Sequence, residues 1–193
     1  MGLFRKKREL HFDDEDVQKE IEVLLGPHDS VFHSAVSFDL GHDIGGGSDV
    51  HIFENHIDGF VYVTSDLIGK KQKKSDANNY ELMICHRNSE IKWGVNLISV
   101  LAYYTLQASI FSNETMGLEG GPFYDEDFTI RHILFHKYAD FTIENNKLGL
   151  MLLIGITQQE WEWAQQNSTH KLLEILKEKN VFPYTDLQRA SVI

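Results

Sequence analysis

The chain has 193 residues, 42% of them hydrophobic, with a single cysteine and a formal net charge of −11. This length suits one globular domain with a substantial core, and the composition excludes a disordered chain. The acidity disfavours nucleic-acid binding, Cys85 has no partner for an internal disulfide, and no apolar run approaches the roughly 20 residues that span a bilayer, so we expect a cytoplasmic protein.

The N-terminal segment predicts a loose arm followed by a helix. Residues 1–12 carry a basic cluster but no periodic apolar pattern, so we assign the single domain to residues 13–193. Acidic residues crowd positions 13–16, where a helix N-terminus favours negative charge, and Gly26-Pro27 is a typical helix end. We therefore expect a helix between these two signals.

The middle of the chain predicts strands around one long helix. Apolar side chains recur at helical spacing over residues 93–111, whereas residues 113–127 are irregular. Alternating or continuous apolar runs predict strands at residues 32–40, 50–54, 60–65, 80–86, 130–136 and 139–143. Strands and helices do not alternate regularly, which indicates an α+β fold with a mixed, largely antiparallel sheet packed by helices.

The C-terminal quarter predicts a buried strand and two short helices. Leu148–Ile156 is a run of nine apolar residues, the pattern of a strand that is covered on both faces. Thr157 precedes Glu160 by three positions, the spacing of a capping box, and Ser168-Thr169 offers a cap for a leucine-rich second helix. The tail, residues 186–193, is predicted to add an edge strand.

A histidine-rich stretch around residues 42–56 is the pattern in this chain that most resembles metal chemistry. Its candidate ligands are His42, Asp43, Asp49, His51 and His56. No two histidines have the helical spacing of a zinc protease motif with a glutamate base between them, so we predict no metal and no cofactor. A metal-dependent hydrolase that uses this loop stays open as the alternative function.

Two acidic segments are candidate binding surfaces, and no catalytic motif appears that would predict a catalytic residue. The first segment comprises Glu160, Trp161, Glu162 and Trp163. The second comprises Asp125, Glu126 and Asp127, which lack the ligand pattern of a calcium loop. Tryptophans two positions apart cannot share one helix face. Either both cover a groove, or one is an exposed aromatic anchor with an acidic rim, as in protein interfaces.

Several segments together resemble the suppressor-of-fused family. They are the strand pair Val50–Leu67, the strand Tyr80–Ile84 before a helix that Trp93 begins, and the strand and helices of Leu148–Leu176. The resemblance covers residues 30–193 and is to the stand-alone bacterial type. It implies the α/β sandwich of the family's N-terminal domain, no enzymatic activity, and a function in binding other proteins.

The resemblance also implies a class of partner. Stand-alone bacterial members include immunity proteins that neutralise toxins, so we predict an immunity or regulatory protein. An acidic protein suits a basic toxin, because complementary charge accelerates the encounter of two proteins. The predicted partner is therefore another protein, such as a basic toxin, bound through the two acidic segments.

Overall fold

The computed structural model describes residues 14–36, 48–65, 67–68, 75–77, 79–88 and 91–193. The predicted arm at residues 1–12 and the candidate ligands His42 and Asp43 lie outside these ranges. Helices and strands follow one another in this order: α1 Asp14–Leu25, β1 Ser30–Val36, β2 Ser48–Phe53, β3 Phe60–Thr64, β4 Asn79–His86, α2 Ile91–Gln107, β5 Thr115–Gly117, β6 Ile130–Ile143, β7 Asn146–Thr157, α3 Gln158–Gln166 and α4 Thr169–Glu178.

The seven described strands form one sheet in the order β1-β2-β3-β4-β7-β6-β5. Neighbouring strands are antiparallel except for β4 and β7, which are parallel. The predicted α+β fold with a mixed, largely antiparallel sheet is therefore confirmed. The central strands β4 and β7 are buried along almost their whole length, which explains why their sequences are continuous apolar runs.

Helices cover both faces of this sheet. Successive side chains of β7 alternate between the faces, so Leu150 and Leu152 join the core under α1, α3 and α4, while Met151 and Leu153 join the core under α2. Apolar residues of both sets are almost fully buried. The architecture is a sheet between two helical layers. No helix in the described part of the chain is long and apolar enough to cross a membrane.

The segment after α4 completes the centre of the sheet. Pairing of β4 with β7 ends at Ile84 and Leu153. Beyond that point the Thr185 amide donates to the Cys85 carbonyl at 2.8 Å, and the Thr185 hydroxyl oxygen accepts from the Gly155 amide at 2.7 Å. Thr185 thus bridges the two strands where their own hydrogen bonds stop.

Four parts of the chain differ from the sequence prediction. The runs predicted as two strands are one strand, β6, whose register shifts between Lys137 and Ala139. The region predicted as irregular contains the short strand β5, and α2 ends at Gln107, earlier than predicted. The edge strand predicted for residues 186–193 is wrong, because this tail forms no ladder. Thr129 holds it instead: its amide donates to the Leu187 carbonyl, and its hydroxyl donates to the carbonyls of Leu187 and Arg189.

Candidate protein-binding site

The start of α3 has the capping geometry that the sequence predicts. The Glu160 amide donates to the Thr157 hydroxyl at 3.3 Å, and the Thr157 amide donates to the Glu160 carboxylate at 2.9 Å. These reciprocal bonds satisfy two backbone donors that a helix start otherwise leaves open. The orientation of the following residues, Trp161 and Glu162, is fixed as a result.

The Glu160 side chain lies in the interior, not on the surface that we expected it to share with its neighbours. Its relative exposure is 0%, and both its oxygens accept from the Arg189 guanidinium, at 2.5 and 2.6 Å. Burial alone would raise the pKa of Glu160, but the hydrogen bonds and positive charge of Arg189 outweigh burial and hold that pKa below its ordinary value. Glu160 is therefore a structural carboxylate.

Trp161 links α3 to the edge of the sheet. Its ring stacks on His132 of β6 with centroids 4.5 Å apart and planes within 5°. Its indole N–H donates to the Thr115 hydroxyl of β5 at 3.2 Å. The His132 ring is also within 2.9 Å of the Gln158 side-chain oxygen, so the stack is tied to the first turn of α3.

The other two residues of this segment divide between surface and core. Glu162 is exposed and accepts a hydrogen bond from the Gln158 amide group at 2.8 Å. Trp163 is half-buried and packs on the core under α1, α3 and α4. Both tryptophans thus cover protein surface, the first of the two interpretations left open by the sequence, and Glu162 supplies the exposed charge.

The second predicted segment is an exposed acidic loop. Its backbone is ordered by the Asp125 carboxylate, which accepts from the Asp127 amide at 2.9 Å. Arg131 binds the carbonyl oxygens of Asp125 and Glu126, at 3.1 and 3.3 Å. These three acidic side chains face solvent.

The structure does not combine the two acidic segments into one site. Arg131 contacts the acidic loop, whereas the next residue of β6, His132, contacts α3. The loop and the helix therefore contact different residues of β6. What lies beside α3 instead is a groove that the sequence did not predict.

This groove is a cavity of about 430 Å³ at the edge of the sheet that β5 forms. It is lined by Tyr104, Ser109, Ile110, Asn113, Glu114, Thr115, Met116, Phe135, Gln165 and Thr169. One wall comes from the end of α2 and the other from the junction of α3 and α4, with β5 between them. Tyr104 is 50% exposed, so an aromatic ring stands open at this wall.

Among the described strands, β5 has a neighbour on one side only. The Phe135 amide donates to the Glu114 carbonyl and the Leu118 amide donates to the Arg131 carbonyl, so Glu114 and Leu118 direct these groups at β6. Backbone groups of successive strand residues alternate in direction, so Thr115 and Gly117 direct theirs away from β6. Such an edge can pair with an added strand.

The groove is lined by apolar and polar side chains and by one acidic side chain. Glu114 is the one charged residue in its lining, and it is exposed. Met116 and Phe135 supply apolar surface, while Thr115, Gln165 and Thr169 supply polar groups. The groove can accommodate an extended segment with apolar residues and a basic residue opposite Glu114.

The described part of the histidine-rich stretch does not form a metal site. His51 packs edge-on against His28 with centroids 4.8 Å apart, and burial together with His28 lowers the pKa of His51 to about 4. His56 lies 2.8 Å from the Tyr138 hydroxyl, and Asp49 lies 2.9 Å from the His33 ring. Within the described ranges, no group of three His, Cys, Asp or Glu side chains is arranged to hold a metal ion.

Comparison with known families decides the relationship. Residues 47–190 match the family model described as Suppressor of fused protein (SUFU). The chain belongs to the suppressor of fused family. Membership confirms the predicted resemblance and indicates a protein-interaction module. No curated protein matches the chain.

Solved structures of suppressor of fused proteins share this fold. A structure of the Sufu–Fu complex superposes with a TM-score of 0.68 at 9% identity, covering 92% of this chain and 91% of that one. A suppressor of fused homologue from Neisseria gonorrhoeae superposes with a TM-score of 0.60 at 23% identity. That match covers 93% of this chain and 96% of the homologue. Drosophila Suppressor of Fused superposes with a TM-score of 0.59 at 12% identity. That match covers 82% of this chain and 44% of the Drosophila chain.

Within this suppressor of fused chain, sequence reasoning found α3 and the acidic loop but missed the groove. Its residues are scattered over five elements and one loop and share no local pattern. The structure reveals the surface: Val100 and Tyr104, four positions apart on α2, stay 47% and 50% exposed, and Tyr104 lines the groove. An apolar pair on the outer side of a helix that already buries another face indicates a contact surface.

Proposed function

We propose that this suppressor of fused chain is a non-enzymatic binding protein that receives an extended segment of a partner protein at the open side of β5. The observation that carries this proposal is the conjunction of the groove with an edge of β5 on which no described strand pairs. Main-chain hydrogen bonds to Thr115 and Gly117 would supply affinity, and the pockets beside them would supply specificity. The partner is a protein because family membership indicates a protein-interaction module.

We further propose that the partner is basic and that binding neutralises or regulates it, as an immunity protein does with a toxin. The net charge of −11 favours rapid association with a basic protein. Glu162, one helical turn before the groove residue Gln165, and the loop Asp125–Asp127 supply exposed negative charge.

A substitution at Gly117 tests the proposed mode directly. Gly117→Pro removes the outward N–H and places a ring at the open edge, where proline is tolerated in strands. A Cβ at this position lies 3.7 Å from the nearest His132 atom, so the added atom fits. Gly117→Ala adds the same Cβ but keeps the N–H, and it is the matched control.

The probe for this test is a random decapeptide library displayed on phage and selected on the wild-type chain. We expect selected peptides to bind wild type and Gly117→Ala alike, and to bind Gly117→Pro at least tenfold more weakly. Amide shifts should change at residues 114–118 when a peptide is added. Failure to select any peptide, or equal binding to all three chains, would contradict the proposed function.

A further inference from the structure

The strand that forms the proposed binding edge is too short to be secured by its ladder alone. β5 has three residues and pairs only with β6 among the described strands. So short an edge strand makes few ladder hydrogen bonds, so contacts outside the ladder contribute to its position. Burial of Leu118 directly after β5 is one such contact.

Trp161 contacts both members of this strand pair. Its N–H donates to Thr115 on β5 at 3.2 Å, and its ring stacks on His132 on β6 at 4.5 Å. His132 is the register partner of Gly117, so the two contacts fall at opposite ends of β5. Trp161 therefore contacts one end of β5 directly, and it contacts the β6 residue that pairs with the other end.

The base from which Trp161 reaches the sheet is rigid. The preceding residue, Glu160, is fully buried, and Arg189, Thr157 and Val192 donate hydrogen bonds to its carboxylate. The helix start therefore cannot rotate without breaking a buried ion pair. A rigid base allows a single hydrogen bond at the tip of Trp161 to constrain Thr115.

From this geometry we infer that Trp161 is a positioning residue: it holds β5 on β6 so that the open edge is ready to receive a partner strand. That Trp161 holds β5 follows from its contacts, whereas the effect on partner binding rests on the proposed function. Preorganisation of a binding edge lowers the entropy lost on association, so loss of the contact weakens binding without removing any group that touches the partner.

The test is a double-mutant cycle on the Trp161–Thr115 hydrogen bond. Thr115→Val keeps the shape and the strand propensity of threonine but removes the acceptor, and Trp161→Phe keeps an aromatic ring on His132 but removes the donor. Thr115→Ser retains the acceptor and should restore wild-type behaviour. Trp163→Phe, on the same helix but packed on the core, is the control for a general effect on α3.

The first readout is hydrogen exchange of the Leu118 and Phe135 amides, which bond across the β5–β6 pair in the free protein. Each single variant should raise their exchange roughly fivefold, the effect of one net hydrogen bond, with β7 amides unchanged. The double variant should behave like either single variant, because only one bond is lost. Additive effects, or no effect of Thr115→Val, would overturn the inference.

The second readout is affinity for a peptide selected on the wild-type chain. Trp161→Phe, at a position outside the groove lining, should weaken it roughly fivefold, and Trp163→Phe should not. Faster exchange with unchanged affinity would show that holding β5 does not serve binding, which also overturns the inference. If no peptide is selected, the proposed function fails, and the exchange cycle alone decides whether Trp161 holds β5.

Discussion

At the scale of single residues, Glu160 joins parts of the chain that are distant in sequence. Its carboxylate accepts from the Arg189 guanidinium, from the Thr157 amide that precedes α3, and from the Val192 amide near the chain end. The Arg189 side chain is 9% exposed, so the ion pair is shielded from water. Removing one member of such a pair strands the other charge in the interior.

We therefore predict that Glu160→Ala lowers the free energy of unfolding by about 3 kcal/mol, measured by urea denaturation. Glu162→Ala, the same substitution two positions later at an exposed site, should change it by less than about 0.5 kcal/mol. Because hydrogen bonds to Arg189 hold the pKa of Glu160 low, its contribution should be present above the ordinary glutamate pKa and lost as pH falls through the lowered one. Equal losses in the two variants would contradict this assignment.

The residue scale also shows where sequence reasoning about the site reached its limit. The Thr157–Glu160 capping box is local, so spacing alone predicted it. Glu160 was nevertheless predicted to lie on the surface. Its ion-pair partner Arg189 is 29 positions away, and the local sequence does not indicate that pairing. A partner that is distant in sequence is visible only once the fold is known.

At the scale of elements, α2 packs unusually close to β4 at Gly94. A Cβ on Gly94 would lie 2.5 Å from the His86 Nε2 atom. His86 has no room to retreat, because it is 1% exposed and its Nδ1–H donates to the Thr185 carbonyl at 2.7 Å. The glycine sets the depth at which this helix, and with it Tyr104, sits on the sheet.

We predict that Gly94→Ala destabilises the protein by about 1 kcal/mol in urea denaturation, although alanine is the better helix former. Replacing glycine by alanine inside a helix raises the free energy of unfolding by about 1 kcal/mol through helix propensity. Overpacking against a fixed side chain lowers it by about 1–3 kcal/mol. Asn96→Ala, at an exposed position of the same helix, has no clash and should leave stability equal or slightly higher. A Gly94→Ala chain more stable than wild type would show that His86 can move.

Elements with a strong local pattern were predicted, and elements that depend on neighbours were not. β7 and α3 follow from an apolar run and a capping box, which are properties of the local sequence. β5 was missed because three residues are too few for a periodic signal, and its pairing with β6 is not local. β6 was divided in two because the register shift after Lys137 interrupts its alternation.

At the scale of the whole molecule, excess negative charge acts on association before any contact forms. Charge complementarity raises association rates, and salt screens it at distances beyond about 10 Å. Local contacts act mainly on dissociation. The two effects can therefore be separated by placing the same charge change near the groove and far from it.

We predict that Glu162→Lys both slows association with a basic partner and speeds its dissociation in surface plasmon resonance. Glu15→Lys, on α1, makes the same change in net charge and should only slow association slightly. Higher salt should slow association of the wild type by on the order of tenfold. If Glu162→Lys leaves the association and dissociation rates of the partner unchanged, α3 is not part of the interface.

The parallel pairing of β4 with β7 also governs how the protein is made. Asn79 pairs with Leu148, and α2, β5 and β6 all lie between them along the chain. During synthesis, strands β1 to β4 emerge first, and the backbone edge of β4 has no paired strand until β7 leaves the ribosome. Parallel pairing of distant segments is slow, and an uncovered edge invites aggregation. Ribosome-bound intermediates shorter than residue 148 should therefore be the forms of this protein that depend most on chaperones.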